Sequence, residues 1–328
     1  MDIAYQEDMI LNDIIDACVQ RMGWQIQSIT PIRRGWLNLK WKIHTDSGIY
    51  LIKQYNRERF QAYDPAVLEQ AFAQQIRLRA SGIPAPQLIT DGHTVWHTSA
   101  LGERFLVMDY CEGEIIMPGM VNEAQLYDLG RITGQMHRLL NDNSLPVQAP
   151  PLFQPPTRDQ RLQYWEQLYI QFQEEGHQIY LPIVEQQRQT TITMNMDILQ
   201  TLRPGWAHRD LWTDNLLFYP DKVTAVLDYD RLNYDYPQLD IARAILSCVW
   251  DGEFDLTRAA AFMQGYREVH PHYNERLSVS LQALWYMESV WWIRTGMDKD
   301  SGPPVRFVRE MSWLAEHYGV LDEIIDFL

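Results

Sequence analysis

Positive charge is scarce in this chain. Its 328 residues hold 28 Lys and Arg against 43 Asp and Glu, a formal net charge of −15. Broad nucleic-acid binding requires basic side chains that displace phosphate counterions, so the balance argues against that class. An anionic membrane surface is disfavoured for the same reason. The excess of carboxylates suits a cationic small molecule such as an amino alcohol or aminosugar, and it equally suits a surface that is simply soluble. Cysteine is scarce too. Cys18, Cys111 and Cys248 form no CxxC pair and have no histidine at zinc spacing, so neither a disulfide scaffold nor a structural zinc is indicated. No apolar run approaches the ~18 residues of a membrane-spanning helix. The stretch from Met1 to Asp8 lacks the basic-then-apolar order of a signal peptide. A cytoplasmic location is the default expectation. Low-complexity linkers, fixed-period repeats and the GxxxxGK[ST] phosphate loop are also missing.

What is present changes character along the chain. Residues 24–55 read as strands, with Thr45-Asp46-Ser47-Gly48 as a hairpin turn between residues 41–44 and 49–53. Residues 64–80 read as a helix. Asp64 can cap it, Pro65 suits its first turn, and Leu68, Phe72, Ile76 and Leu78 form its expected apolar face. Pro84 and Pro86 end that region. Short strands are predicted near 94–98 and 104–110. Beyond Gly113 the pattern turns helical, with helices predicted over 122–140, 157–175 and 183–201, a short β region over 206–228, and helices from 238 onward. The expected architecture is α+β: a small β-rich lobe, residues 1–110, and a larger helical lobe, residues 111–328.

The densest chemistry lies in the segment from His208 to Asn215, which reads His-Arg-Asp-Leu-Trp-Thr-Asp-Asn. Phosphoryl transfer from ATP needs a carboxylate near the attacking hydroxyl and oxygen ligands for magnesium near the phosphates. Asp210 and Asn215, five residues apart, can supply both from one loop. Asp210 would orient the hydroxyl and accept its proton, Asn215 would offer its amide oxygen to Mg2+, and His208 would brace the loop. After Asn215 the sequence reads as a hairpin, with a turn at Tyr219-Pro220-Asp221-Lys222 and a returning strand over 223–227. Asp228 stands at its end and is expected to return beside Asn215 as a second magnesium ligand, with Asp230 as the alternative.

These segments resemble the aminoglycoside phosphotransferase and choline kinase family, whose members share the protein-kinase-like fold. The resemblance runs from about residue 30 to 295. His208-Arg209-Asp210 through Asn215 is similar to the family's catalytic loop, although small-molecule members more often carry a small residue in place of Arg209. Leu227-Asp228-Tyr229-Asp230 is similar to the metal-binding Asp segment. Asp235 and Asp240-Ile241-Ala242 resemble the run in which the last Asp opens a helix and supports the catalytic loop. Only about a dozen residues separate Asp228 from Asp240, which leaves little platform for a peptide and favours a small-molecule acceptor.

The resemblance extends to the first lobe. It places Lys53 at the position of the lysine that holds ATP phosphates. A buried ammonium needs an anionic partner, and Glu69 is the candidate, with Glu58 as the alternative. Gly35 and Asn38, in Arg34-Gly35-Trp36-Leu37-Asn38, lie where the family has its turn over the phosphates. Met108-Asp109-Tyr110-Cys111 resembles the hinge, where the backbone of Asp109 and Cys111 would bond adenine. The implied activity is ATP-dependent phosphorylation of a hydroxyl on a small molecule, with homoserine, amino alcohols, sugars and aminoglycosides as acceptor classes. The alternative is a catalytically inactive relative of the spore-coat type. His137 is read as a packed core histidine, and Trp285, Trp291 and Trp292 as packing of the last helices, with Glu288 among them able to meet a substrate amine.

Overall fold

The computed structural model describes residues 3–33, 38–61, 63–92, 94–148 and 150–325. They fall into two compact units, Met1–Glu114 with Thr224–Arg231, and Ile115–Val223 with Leu232–Leu328. The sequence suggested one boundary near residue 110. The structure instead counts a short later segment, the one carrying Asp228, with the first unit.

The first unit opens with helix α1 (Ile3–Met22), followed by strands β1 (Ile26–Pro31), β2 (Lys40–Thr45) and β3 (Ile49–Tyr55). A single helical turn, α2 (Arg57–Phe60), precedes α3 (Pro65–Ala80), β4 (His97–Thr98) and β5 (Arg104–Asp109). The strands form an antiparallel sheet in the order β1-β2-β3-β5-β4. Successive strand side chains point to opposite faces, and both faces are covered. Ile43, Ile52, Phe105 and Val107 pack with Trp41 against Ile14, Ala17 and Cys18 of α1. Tyr55, Leu106 and Met108 pack against Leu68 and Phe72 of α3. Lys53 is two residues from Tyr55 on β3 and so belongs to the α3 side.

Asp64 caps α3 as expected, accepting a hydrogen bond from Ala66 N at 2.9 Å. The apolar face differs from expectation at one position. Ile76 is 41% exposed, because it lies roughly 100° round the helix from Gln75, near the middle of the buried stripe. Gln75 occupies the buried stripe instead, and its amide donates to Pro86 O at 2.8 Å.

The second unit begins with α4 (Glu123–Leu140), α5 (Arg158–Glu174), α6 (Leu181–Thr193) and α7 (Ile198–Thr201). Capping boxes open α4 at Asn122 and Gln125, and α5 at Thr157 and Gln160. The helix expected over 183–201 is broken. Met194 is extended, and Asn195 Oδ1 accepts from Asp197 N at 3.0 Å, a local turn that competes with the helix. Next come β6 (Gly205–Ala207), β7 (Leu216–Tyr219), β8 (Lys222–Val226), whose part from Thr224 is counted with the first unit, and β9 (Asn233–Asp235). β6 pairs with β9, and β7 with β8, the hairpin that leads toward Asp228. The rest is helical: α8 (Pro237–Val249), α9 (Leu256–Val269), α10 (Leu277–Trp292), α11 (Pro303–His317) and α12 (Leu321–Ile325). α4 and α9 cross with backbones nearly touching, because Gly130 lies against Phe262 O and Gly265 against Tyr127 O. α8 is buried along almost its whole length, from Gln238 to Val249. Among the described residues, no helix is long and apolar enough to cross a membrane.

Candidate active site

In the first unit, one lysine gathers two carboxylates. Lys53 Nζ donates to Asp228 Oδ1 at 2.9 Å and to Asp230 Oδ2 at 2.7 Å. Tyr55, its neighbour on the same face of β3, donates its hydroxyl to both oxygens of Asp230 at 2.8 Å. Burial alone would depress the Lys53 ammonium, but the two carboxylates outweigh it and raise its pKa, so the lysine is firmly charged. Burial and the charge of Asp228 work against ionising Asp230, while Lys53 and Tyr55 favour it. Asp228 is the accessible member, with 30% of its side chain exposed against 8% for Asp230. It takes φ of 61°, a left-handed conformation that Asp tolerates better than most residues.

The expected pairing of Lys53 with Glu69 is therefore corrected. Glu69 is exposed on α3, and the carboxylates that meet Lys53 come from the chain beyond the second hairpin. Glu58, the alternative, is exposed as well. Gly35 lies outside the described residues. Asn38 is described, and its Oδ1 accepts from Asn56 N at 3.4 Å. At the end of β5, Asp109 Oδ1 accepts from Gln87 N at 2.5 Å and Asp109 N donates to Gln87 O at 3.0 Å. That leaves the Asp109 carbonyl, not its amide, as the backbone group suited to a ligand. Burial pushes the Cys111 thiol up to about 12, which makes it a poor nucleophile.

In the second unit, the segment His208–Asn215 leaves β6 as a loop held at both ends. His208 N donates to Asp240 Oδ2 at 2.6 Å and Arg209 N to Asp240 Oδ1 at 2.7 Å. Burial would raise the pKa of Asp240, but a hydrogen bond from His137 and the charge of Arg243 keep it below the usual carboxylate range. An ionised Asp240 accepts a hydrogen bond from His137 Nε2 at 3.2 Å, so Nδ1 is left to accept from the Tyr266 hydroxyl at 3.0 Å. His137 is packed in the core as expected, and it also buttresses the loop. Arg209 adopts φ of 69°, a strained conformation costing on the order of 1–3 kcal/mol. Its guanidinium is fixed by Asp235 Oδ2 at 2.6 Å.

At the other end a short helical turn, Thr213–Asn215, brings Asn215 back to Asp210. Asn215 Nδ2 donates to Asp210 O at 2.9 Å and to Asp210 Oδ2 at 2.8 Å. The amide nitrogen thus fixes the carboxylate and leaves the amide oxygen as the end of Asn215 that can serve a cation. The amide oxygen of Asn215 in the second unit and the partly exposed carboxylate of Asp228 in the first are each hard oxygen donors, the kind that magnesium takes. Glu288, considered for a substrate amine, is fully buried and bonded to Arg243, whose Nε donates to Glu288 Oε1 at 2.9 Å. It is structural in this arrangement. Sequence reasoning missed Tyr55 and Arg306. Tyr55 had a signal, the two-residue spacing from Lys53. Arg306 Nη2 donates to Asp214 Oδ2 at 3.2 Å, and nothing in the local pattern announced it.

Comparison with known proteins bears on the family and the fold. A homoserine kinase of Methylobacterium radiotolerans is 23% identical over 256 residues, covering 74% of this chain and 72% of its own. A homoserine kinase of Rhodopseudomonas palustris is 23% identical over 276 residues, covering 82% and 78%. Among solved structures, a spectinomycin phosphotransferase in complex with ADP and spectinomycin superposes with a TM-score of 0.61 at 14% identity, over 93% of this chain and 98% of that one. An aminoglycoside phosphotransferase in a ternary complex with streptomycin and ATP gives 0.56 at 16% identity, over 93% and 97%. The fold is therefore protein-kinase-like. The model of the phosphotransferase enzyme family matches residues 28–276, well over half of the sequence, and the chain belongs to that family.

Proposed function

We propose that this protein transfers the γ-phosphoryl group of ATP to a hydroxyl of a small molecule. The observation that carries the reading is the Asp210–Asn215 pair, joined at 2.8 Å on a loop whose backbone is tied to the buried Asp240. In this role Asp210 orients the acceptor hydroxyl and takes its proton as the oxygen bonds to phosphorus and the bond to ADP breaks. Lys53 offers its charge to the phosphates. Asn215 and Asp228 are the proposed magnesium ligands; the metal, when bound, neutralises charge on the phosphate oxygens. The carbonyl of Asp109 and the amide of Cys111 are assigned to adenine, and the backbone near Gly35 and Asn38 to the phosphates. Most of the rate enhancement in such a reaction comes from positioning and electrostatics. ATP supply makes the cytoplasm the natural setting.

The acceptor is proposed to be a small hydroxylated compound. The excess of carboxylates favours one bearing an amine. The homoserine kinases and aminoglycoside phosphotransferases among the relatives make homoserine and aminoglycosides the first compounds to try, followed by amino alcohols and sugars. The test is ADP release across that panel, with Asp210→Ala alongside. The variant should lose about 10²–10⁴-fold in turnover, the usual contribution of a positioned general base, and still bind MgATP in a thermal-shift assay. Turnover by Asp210→Ala at the wild-type rate would refute the assignment.

A further inference from the structure

We propose that Arg306, on α11, is a positioning residue for the catalytic loop, an inference that rests on the kinase reading above. Helix α11 lies beyond the residues matched by the family model, which ends at 276. Two consecutive residues of α11 grip three consecutive residues of the loop. Arg306 Nη2 donates to Asp214 Oδ2 at 3.2 Å and Nη1 to Thr213 Oγ1 at 3.5 Å. Its Nε lies 3.1 Å from Oε1 of Glu310, one helical turn further on and fully buried. Phe307 is wedged between Trp212 and Trp292, with ring centroids 4.2 and 4.3 Å away. From the opposite side, Ser247 Oγ of α8 accepts from Thr213 N at 3.0 Å.

The gripped residues are the turn that presents Asn215. Asn215 N donates to Trp212 O at 2.9 Å, and the Asn215 side chain fixes Asp210. A shift of that turn therefore moves the base and the candidate metal ligand together. An arginine suits the position because its planar fork addresses Asp214 and Thr213 at once, which a lysine point charge does less well. Arg306 and Asp214 keep 13% and 31% of their side chains exposed, and an ion pair open to solvent contributes little net stability. Held geometry is the better account of it.

The test compares Arg306→Gln, Arg306→Lys and Asp214→Asn with wild type, by hydrogen exchange of amides 211–216 and by kcat and KM. Asp214→Asn cuts only the loop end of the strut and leaves Arg306 itself in place, so it covers the case in which Arg306→Gln does not fold. Misplacement of a reacting group is costly. In Arg306→Gln we expect about tenfold faster exchange confined to 211–216 and about tenfold lower kcat, with KM for ATP changed by less than about threefold. Asp214→Asn should move the same way, and Arg306→Lys should recover part of both. Unchanged exchange or unchanged kcat in the glutamine and asparagine variants overturns the proposal. So does faster exchange spread evenly over the second unit, which would mark a general structural role. A wild-type protein that phosphorylates nothing would instead sink the kinase reading, and exchange at 211–216 would still decide the strut.

Discussion

Lys53 illustrates what one residue can and cannot declare in sequence. Its place on a strand and its order ahead of the loop at 208–215 were legible. Its partner was not, because Asp228 and Asp230 lie 175 and 177 residues away in sequence, while Glu69 is near in sequence and at the wrong helical phase. The arrangement carries a measurable consequence. Replacing Lys53 by Met keeps the volume and removes the cation, leaving Asp230 buried with only the Tyr55 hydroxyl. Breaking a buried pair from one side costs about 3–5 kcal/mol. Denaturant unfolding of Lys53→Met should show a loss near the lower figure, since Asp228 is partly exposed and can turn to solvent. Adding Asp230→Asn should restore part of it. A single variant as stable as wild type would mean that the ion pairs contribute nothing to the fold.

Among the elements, legibility followed local chemistry. The hairpin at 45–48, the capped helix α3 and the loop at 208–215 were readable because turn, cap and motif residues act over a few positions. The helix α1 had a signal that went unread: Ile10, Leu11, Ile14, Ile15, Cys18 and Met22 recur at helical spacing, and all of them face the core cluster under the sheet. Packing between distant elements left no such trace. The glycines Gly130 and Gly265 look like ordinary weak points of helices until the crossing of α4 and α9 is seen, where a Cβ on either would overlap a carbonyl of the other helix. Overpacking typically costs 1–3 kcal/mol. Since backbone cannot rotate out of the way, Gly265→Ala should destabilise the protein by about 3 kcal/mol despite the better helix propensity of alanine. An exposed helical glycine replaced by alanine would instead gain stability, so a gain in this variant would show that the helices part without cost.

At the scale of the whole molecule, charge and nucleotide are linked. The chain carries −15 before any ligand arrives, and ATP is itself strongly anionic, so bare nucleotide meets an unfavourable field. Lys53 is the buried cation in the first unit's cluster, and it is already matched by two carboxylates. In the proposed reading a divalent cation arriving with the phosphates would draw on Asp228 and leave more of the Lys53 charge for phosphate. A ligand that binds only the native state stabilises it by about 2.7 kcal/mol at a hundredfold excess over its Kd, roughly 4 °C for a chain of this size. Saturating MgATP should produce a shift of that order. ATP with EDTA at the same concentration should produce much less, and magnesium alone little. Equal shifts with and without the metal would show that the nucleotide is held without Asn215 and Asp228 acting through magnesium, and those two residues would then need another role.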